Sequence, residues 1–291
     1  MMKKDFENKL TDLGSLKANL GGNRFRTKKG LGQNFLVNED IAQAIVEGAE
    51  VGPEDTVLEI GPGVGNLTRY LLARAKQVLA VELDRTAIPL LKKNTGDFDN
   101  LTIIEGDVLK IDVGALLEGH HRIKVVANLP YYITSPILMM LMEGGLPLES
   151  ITVMVQKEVG ERILAPPSCK DYGALTLAVG YYAIAQPVID VPRENFHPVP
   201  GVDSIVLKLV LRDAADHLDP KTQKEFFGLV KAGFGQRRKN LLNALSVLFN
   251  GDKAAVGDFL ASAGIDGGRR AETLTIDEFK ELAIIKNKGA M

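Results

Sequence analysis

Short runs of apolar and β-branched residues alternate with amphipathic stretches through the first half of the chain. The runs that predict buried strands are TVLEI at 56–60, VLAVE at 78–82, LTII at 101–104, IKVVA at 123–127 and ITVMV at 151–155. Helical patterns at 67–75 and 85–94 lie between them, the first with Asn66 as its expected N-cap. Strands that alternate with helices predict an α/β fold, in which a parallel sheet has helices on both faces.

Two later apolar runs, 177–185 and 204–211, have no clear helical pattern between them. They predict an antiparallel hairpin that completes a seven-stranded, Rossmann-like doubly wound sheet at one edge. The polar segment 212–220 predicts a linker. Only helical patterns follow it, at 222–234, 241–248, 253–263 and 276–286. We therefore expect an α/β domain over residues 1–212, with 1–27 as an extension that can be mobile or partly helical, and a small helical domain over 213–291.

Charge is distributed unevenly along a chain of ordinary globular composition. The net charge of all 291 residues is only −2. Residues 1–34 carry a net charge of +5 and residues 221–291 a net charge of +4, which leaves −11 for the middle of the chain. Two basic ends around an acidic middle favour a polyanionic partner that is held at the edges, although a solvated charged surface would give the same pattern.

The sequence argues against several classes of protein. It contains no run of 18 apolar residues, so no membrane span is expected. The lysines near its start have no apolar segment after them, which is unlike a signal peptide. The single cysteine, Cys169, can form no internal disulfide and is expected to be a buried thiol. One cysteine builds no zinc site of the usual spacing, so no metal is expected, and a reducing, cytoplasmic setting fits.

A glycine-rich loop directly follows the first predicted strand. Gly61 and Gly63 stand in the sequence GPGVG, which lets the backbone turn sharply and approach a ligand closely. Doubly wound folds bind nucleotides at this position. The spacing differs from the Gly-x-Gly-x-x-Gly of dinucleotide sites, where a helix N-terminus faces pyrophosphate. S-adenosylmethionine (SAM) carries no phosphate and fits this loop better, with NAD as the rival cofactor.

One polar residue marks the end of each of the next three predicted strands. Glu82 ends the second strand, Asp107 follows the third and Asn128 ends the fourth. Because the carboxyl ends of parallel strands meet at one edge of a sheet, we expect these residues to lie together beside Gly61. Glu82 could accept both ribose hydroxyls of an adenosine group, and Asp107 could hydrogen-bond its adenine ring.

The sequence Asn128-Leu129-Pro130-Tyr131 is the most specific chemical feature of the chain. The Asn128 side-chain oxygen and the Leu129 carbonyl can each accept a hydrogen from a planar amine, and Pro130 fixes the turn without adding a donor. This arrangement aims the nitrogen lone pair at the sulfonium methyl of SAM, with no general base needed before attack. Tyr131 offers a face on which a flipped base can stack. The motif predicts methylation of the exocyclic amine of adenine.

Four motifs together resemble the small-subunit (16S) ribosomal RNA adenine-N6,N6-dimethyltransferases, the KsgA/RsmA family. They are KGLGQNFL at 29–36, EIGPG at 59–63, NLPYYITSP at 128–136 and FHPVPGVDS at 196–204. The resemblance implies a sheet of the SAM-dependent methyltransferase type. It implies that the residues in contact with SAM include Asn34 and Leu36 together with Gly61, Glu82, Asp107 and Asn128. It also implies that Tyr131 and Phe196 sandwich the target adenine.

The resemblance further implies the substrate, which would be two adjacent adenosines in the 3′-terminal hairpin loop of 16S rRNA, each methylated twice. The 30S subunit would be modified during its biogenesis, by a monomer in the cytoplasm. Two basic clusters are expected to bind the RNA phosphates. The first cluster is Arg24, Arg26, Lys28 and Lys29, and the second, in the helical domain, is Arg237, Arg238 and Lys239.

Four other functions remain open on the sequence alone. Erythromycin-resistance methylases dimethylate an adenine of 23S rRNA, with a motif that typically reads Asn-Ile-Pro-Tyr. DNA adenine methylases usually carry Asp/Asn-Pro-Pro-Tyr. A non-catalytic assembly factor would bind rRNA and only sense SAM, although Asn128 and Tyr131 argue for activity. A small-molecule methyltransferase would need neither the basic ends nor the helical domain.

Overall fold

The computed structural model describes residues 9–289 and divides into two compact units. The first unit runs to Gly160 and also contains Ala185–Leu211. The second unit consists of Glu161–Ile184 and the residues from Arg212 onward. The first unit is an α/β domain and the second is helical.

A seven-stranded sheet forms the centre of the first unit. The described residues form nine strands, of which seven make up this sheet. The nine are β1 (Phe35–Leu36), β2 (Thr56–Ile60), β3 (Gln77–Glu82), β4 (Leu101–Glu105), β5 (Ile123–Asn128), β6 (Leu148–Gln156), β7 (Ala183–Val191), β8 (Phe196–His197) and β9 (Ser204–Leu211). The sheet has the order β4-β3-β2-β5-β6-β9-β7, and β1 pairs separately with β8. Strands β2 to β6 are parallel, whereas β9 runs antiparallel to β6. The strand order reverses between β2 and β5, which opens a crevice at their carboxyl ends.

Helices connect the parallel strands and make up the second unit. They are α1 (Leu13–Gly22), α2 (Glu39–Gly48), α3 (Thr68–Arg74), α4 (Ile88–Asn94), α5 (Val113–Leu117), α6 (Thr134–Glu143), α7 (Lys157–Leu164), α8 (Ala174–Tyr182), α9 (Pro220–Gly235), α10 (Leu241–Ala244), α11 (Lys253–Ser262) and α12 (Ile276–Gly289). Helix α2 shows the local logic, since Asn38 caps it and its apolar face, Ile41, Ala42, Ile45 and Val46, is buried.

The predicted fold class is confirmed, including the antiparallel last hairpin. One strand prediction is wrong, because residues 177–182 belong to α8 and the edge strand begins only at Ala183. A continuous apolar run suits a buried helix as well as a buried strand. The helix buries Leu177, Val179 and Tyr181, so the apolar character of the run reflects packing within the helical unit.

The N-terminal segment packs on the first unit from residue 10 onward. Leu10, Leu16 and Leu20 form a small core with Phe35 and Val64. The remainder of the predicted extension, residues 1–8, lies outside the described residues.

The sequence predicts that Asn66 caps α3, but its side chain instead holds the N-terminal segment in place. Its side-chain amide donates to the carbonyls of Leu10, at 2.7 Å, and Leu36, at 2.8 Å. Helix α3 begins at Thr68 without a side-chain cap. The amide is therefore used in tertiary bonds that join three parts of the chain.

The second unit is organised around a cluster of aromatic rings. Tyr181 packs against Phe226 with a centroid separation of 4.9 Å and against Phe227 at 5.3 Å. The Tyr172 hydroxyl donates to the Leu274 carbonyl at 2.8 Å. These contacts attach 161–184 to the later helices, whereas the sequence predicts that this segment belongs to the α/β domain.

Three further expectations from the sequence concern Cys169, membrane spans and metal sites. Cys169 is half-buried rather than buried. Within residues 9–289, no helix has both the length and the apolar character that a membrane crossing requires. The same residues include no group of three or more His, Cys, Asp or Glu side chains suited to hold a metal ion.

Candidate active site

A pocket opens in the first unit where β2, β3, β4 and β5 end. Residues 31–36, 59–63, 81–83 and 106–108 line it, together with Asn128, Pro130 and several apolar side chains. The structure brings together all the cofactor residues expected from the sequence, namely Asn34, Leu36, Gly61, Gly63, Glu82, Asp107 and Asn128. The strand order explains this, because the four strand ends lie side by side at one edge of the sheet.

The glycine loop provides the floor of the pocket. Gly61 and Gly63 have φ angles of +72° and +59°, a conformation that side chains other than glycine rarely adopt. A Cβ built on Gly61 would meet nothing within 4 Å, so open space lies over this residue. A Cβ on Gly63 would come within 2.7 Å of the Phe35 ring, so here glycine allows close packing of the chain.

The Glu82 carboxylate is held in place by two backbone amides. The Gly63 amide donates to Oε2 at 2.9 Å, and the Asp84 amide donates to Oε1 at 2.7 Å. Burial raises the pKa of Glu82, and these two hydrogen bonds oppose the shift. A carboxylate oxygen can accept more than one hydrogen bond, so both oxygens can still receive the hydroxyls of a ligand.

Glu59 is a pocket residue whose role the sequence analysis did not identify. It lies in the middle of β2 and is 2% exposed, and none of the described residues donates a hydrogen bond to its Oε2. Burial raises the pKa of Glu59 to about 8, the Thr68 hydroxyl opposes the shift and the Glu82 charge adds to it. The carboxyl is therefore mostly protonated at neutral pH. A charged residue inside the buried run TVLEI was the available signal.

Asn128 is oriented by the chain segment on the opposite wall of the pocket. Its Nδ2 donates to the Asn34 carbonyl at 3.1 Å, and none of the described residues donates to its Oδ1. The two loops approach closely, since a Cβ on Gly32 would lie 3.3 Å from the Pro130 Cβ. With its nitrogen anchored in this way, the amide presents its oxygen as the acceptor that remains available.

The two rings expected to sandwich a base have different surroundings. The Tyr131 hydroxyl shares a 2.8 Å hydrogen bond with the Ser204 hydroxyl, and burial raises the pKa of Tyr131. Phe196 is only 2% exposed and belongs to the hydrophobic core. In the antiparallel pairing of β8 with β1, it lies opposite Leu36. Neither ring lines the pocket, whereas Tyr132 does so and is 58% exposed. The Phe196 ring is therefore buried in this structure, and its contact with the target adenine stays a prediction.

The first basic cluster is only partly available for RNA. The Lys28 ammonium lies 2.6 Å from the carboxylate of Asp84, which is buried. Arg24 and Arg26 are exposed and line a groove that also includes Phe25 and Pro89. The side chain of Lys29 lies outside the described part of the chain.

The second basic cluster also combines free and engaged side chains. The Arg237 guanidinium pairs with Glu272 at 3.2 Å and donates to the Tyr172 carbonyl at 3.3 Å. Arg238 and Lys239 are exposed. Arg237 therefore contributes to the packing of the helical unit itself.

A family model described as ribosomal RNA adenine dimethylase matches residues 24–288. The chain belongs to this family. Ribosomal RNA small subunit methyltransferase A of Clostridium botulinum is 48% identical over 259 residues, which is 89% of this chain and 94% of that protein.

Two solved structures resemble the chain over most of its length. A dimethyladenosine transferase from Plasmodium falciparum is 28% identical, with a TM-score of 0.76 over 88% of this chain and 98% of that one. The 23S rRNA methyltransferase ErmE is also 28% identical, with a TM-score of 0.68 over 87% of this chain and 100% of that one. Both are RNA-modifying or adenosine-modifying transferases by name.

Membership of this family makes the chain an adenine dimethyltransferase and SAM, not NAD, its cofactor. The residues of the pocket fit SAM. Gly61 leaves open space, Glu82 offers two anchored acceptors, and the buried Glu59 Oε2 has no partner among the described residues. A ligand with hydroxyl and ammonium groups would satisfy such acceptors.

Proposed function

We propose that this chain transfers methyl groups from SAM to the N6 amines of two adjacent adenosines in the 3′-terminal hairpin loop of 16S rRNA, twice on each. The substrate would be the 30S subunit during its biogenesis, and the enzyme would act as a cytoplasmic monomer. The likeness to small subunit methyltransferase A over 89% of the chain supports this choice of RNA. The single observation that carries the chemistry is the Asn128 amide, whose nitrogen is anchored and whose oxygen is available.

The proposed mechanism needs two acceptors and a dry, ordered pocket. SAM supplies an electrophilic methyl group on its sulfonium sulfur. In the first transfer, Asn128 Oδ1 and the Leu129 carbonyl would accept the two hydrogens of the adenine amine, which turns the nitrogen lone pair toward that methyl group; in the second transfer, one of these oxygens would hold the single remaining hydrogen. As the new nitrogen–carbon bond forms, the carbon–sulfur bond would break and S-adenosylhomocysteine would leave. The positive charge on the nitrogen would face oxygen dipoles that are already in place until one proton is released to solvent. Pro130 keeps a backbone donor away from them.

The pocket residues divide the cofactor between them in this proposal. The Glu82 oxygens accept the ribose hydroxyls, and Asp107 hydrogen-bonds the adenine ring of SAM. The open space over Gly61 accommodates the methionine portion. Asn34 and Leu36 cover the cofactor from the opposite wall. The buried residue Glu59 lines the same pocket, two positions before Gly61 of the glycine loop.

The target adenine would stack on Tyr131, whose ring is steadied by its hydrogen bond to Ser204. A base in a hairpin loop is already partly unstacked, so extruding it into a site costs less than it would in a duplex. Phe196 would reach the base only after leaving its buried position. Arg24 and Arg26, together with Arg238 and Lys239, are the exposed cations proposed to contact phosphates.

Methyl transfer to isolated ribosomal subunits tests this function. The purified protein is incubated with tritiated SAM and unmethylated 30S subunits, 50S subunits or neither, and the modified nucleotides are mapped. We expect dimethyladenosine at two adjacent positions near the 3′ end of 16S rRNA. Label in 23S rRNA would instead establish the erythromycin-resistance type of activity. Tight 30S binding without release of S-adenosylhomocysteine would establish an assembly factor that does no chemistry.

A further inference from the structure

Asp84 is a buried carboxylate that binds four donors just beyond the cofactor pocket. Lys28 Nζ donates to Oδ1 at 2.6 Å and Gln33 Nε2 donates to Oδ2 at 2.8 Å. The Thr86 amide and hydroxyl also donate to Oδ1, at 2.9 and 2.6 Å. The Asp84 side chain is only 1% exposed, whereas that of Lys28 is 45% exposed. Two of these donors come from a chain segment more than 50 residues away.

That segment, residues 28–36, forms one wall of the pocket. It is stiffened internally, because the Lys28 amide donates to the Gln33 Oε1 at 2.8 Å. At its far end, the Asn34 carbonyl accepts the Asn128 amide. The segment is therefore held through Asp84 and through Asn128, and also at Leu36, by Asn66 and by the pairing of β1 with β8. Gly32, which packs against Pro130, lies between Lys28 and Asn34.

Asp84 is also bonded to Glu82, which lines the pocket. Its backbone amide donates to the Glu82 Oε1 at 2.7 Å. Asp84 therefore holds the 28–36 segment through its side chain and the Glu82 carboxylate through its backbone. Although burial raises the pKa of Asp84, the bonds from Lys28, Thr86 and Gln33 lower it to about 2. Asp84 consequently stays charged across the physiological range, and Lys28 and Gln33 keep a full acceptor.

We propose that Asp84 is a positioning residue that fastens the 28–36 segment over the cofactor pocket and thereby sets how long SAM and S-adenosylhomocysteine stay bound. The proposal rests on SAM as the ligand of this pocket and not on which RNA is methylated. Lys28 is thus mainly a structural partner of Asp84, although it belongs to a basic cluster. Release of the product would require this ion pair to open or the segment between Lys28 and Asn34 to bend.

The test measures dissociation of S-adenosylhomocysteine from the full-length protein, with Lys28→Met, Gln33→Leu and Asp84→Asn as variants. Lys28→Met leaves both Asp84 and the pocket lining intact and therefore decides the test, whereas Gln33→Leu also changes a side chain that lines the pocket. We expect dissociation to be roughly tenfold faster in Lys28→Met and in Asp84→Asn. The Lys28→Met, Asp84→Asn double variant should be no faster than Asp84→Asn alone. Hydrogen exchange of the 29–36 amides should quicken in the same variants.

The control is Arg74→Met, which removes an exposed ion pair with Glu47, 3.1 Å long, elsewhere in the first unit. Its S-adenosylhomocysteine dissociation should match the wild type. A purely structural role for Asp84 predicts a lower melting temperature for Asp84→Asn but unchanged dissociation in Lys28→Met and Gln33→Leu, and that result would overturn the proposal. If 30S subunits prove not to be the substrate while dissociation changes as expected, the RNA target is wrong and the role of Asp84 stands.

Discussion

The two sides of the candidate site differ in how completely the folded chain prepares them. The cofactor side, defined as Gly61, Gly63, Glu82 and Asn128, is assembled from strand ends and fixed by backbone hydrogen bonds. The base side, defined as Tyr131, Phe196 and Ser204, has one ring held by a single hydroxyl pair and the other buried in the core.

This difference follows from what each side has to bind. A small cofactor is held by fixed acceptors at the end of a sheet, and a rigid site lowers the cost of binding it. An RNA base arrives with its own backbone and can complete its surroundings as it enters. The comparison therefore predicts large losses from single changes on the cofactor side and in the amine-binding motif, and smaller, shared losses on the base side.

The largest expected effect is that of Asn128→Ala, because Asn128 belongs to the cofactor side and is also the proposed partner of the target amine. Loss of one preorganised acceptor should lower single-turnover methyl transfer by roughly 10³-fold. Affinity for S-adenosylhomocysteine should fall far less. Rapid-quench transfer assays and calorimetric titration measure the two quantities. A variant that transfers methyl groups at nearly the wild-type rate would remove Asn128 from the chemistry.

Glu82→Gln tests the cofactor side alone and should have the second-largest effect. The amide keeps the shape but puts a donor where the backbone amides and ribose hydroxyls need acceptors. We expect affinity for S-adenosylhomocysteine to fall by roughly 100-fold, with binding to 30S subunits unchanged. Equal losses for both ligands would mean that the two sides are not separate.

Glu59→Gln should stabilise the cofactor-free protein in a pH-dependent way. The folded-state pKa of Glu59, about 8, lies above its ordinary value of 4.5. The folded state therefore holds this proton more tightly than the unfolded state does. The free energy of unfolding of the wild type is unaffected by Glu59 below pH 4.5 and falls progressively as the pH rises to about 8. The neutral variant has no such loss, so its advantage should grow from pH 5 to 8, reach on the order of 5 kcal/mol and then level off.

Melting curves at several pH values, without cofactor, measure this difference. An advantage that is independent of pH between 5 and 9 would mean that Glu59 does not titrate within the pocket in this range. Repeating the series with S-adenosylhomocysteine bound shows whether the ligand changes the protonation of Glu59.

The smallest effects should come from the pair that orients the ring on the base side. Tyr131→Phe and Ser204→Ala each remove the same hydrogen bond, and each should weaken the specificity constant for 30S subunits by roughly three- to tenfold. The double variant should lose no more than either single variant. Additive losses, or a change in affinity for S-adenosylhomocysteine, would show that the hydroxyl pair does something other than orient Tyr131.

The residues expected to bind the cofactor line one pocket for a physical reason. Gly61, Glu82, Asp107 and Asn128 each lie at or just after the end of a strand of the parallel sheet, so their meeting depends only on strand order. Phe196 lies in the two-residue strand β8, and whether its ring faces the core or the pocket depends on packing. Residues 177–182 show the same limit, because an apolar run does not distinguish a buried helix from a buried strand.

By itself, the sequence determined the class of fold, the edge of the sheet where the expected cofactor residues meet and the chemistry that its motifs favour. These follow from periodicity and spacing, which are properties of neighbouring residues. Only the tertiary structure decided which polar groups are engaged and which are available. Asp84 pairs with Lys28, which is 56 residues away in the sequence, and the Asn34 carbonyl orients the Asn128 amide, which is 94 residues away. Such bonds form when distant segments pack together, so no local pattern in the sequence announces them.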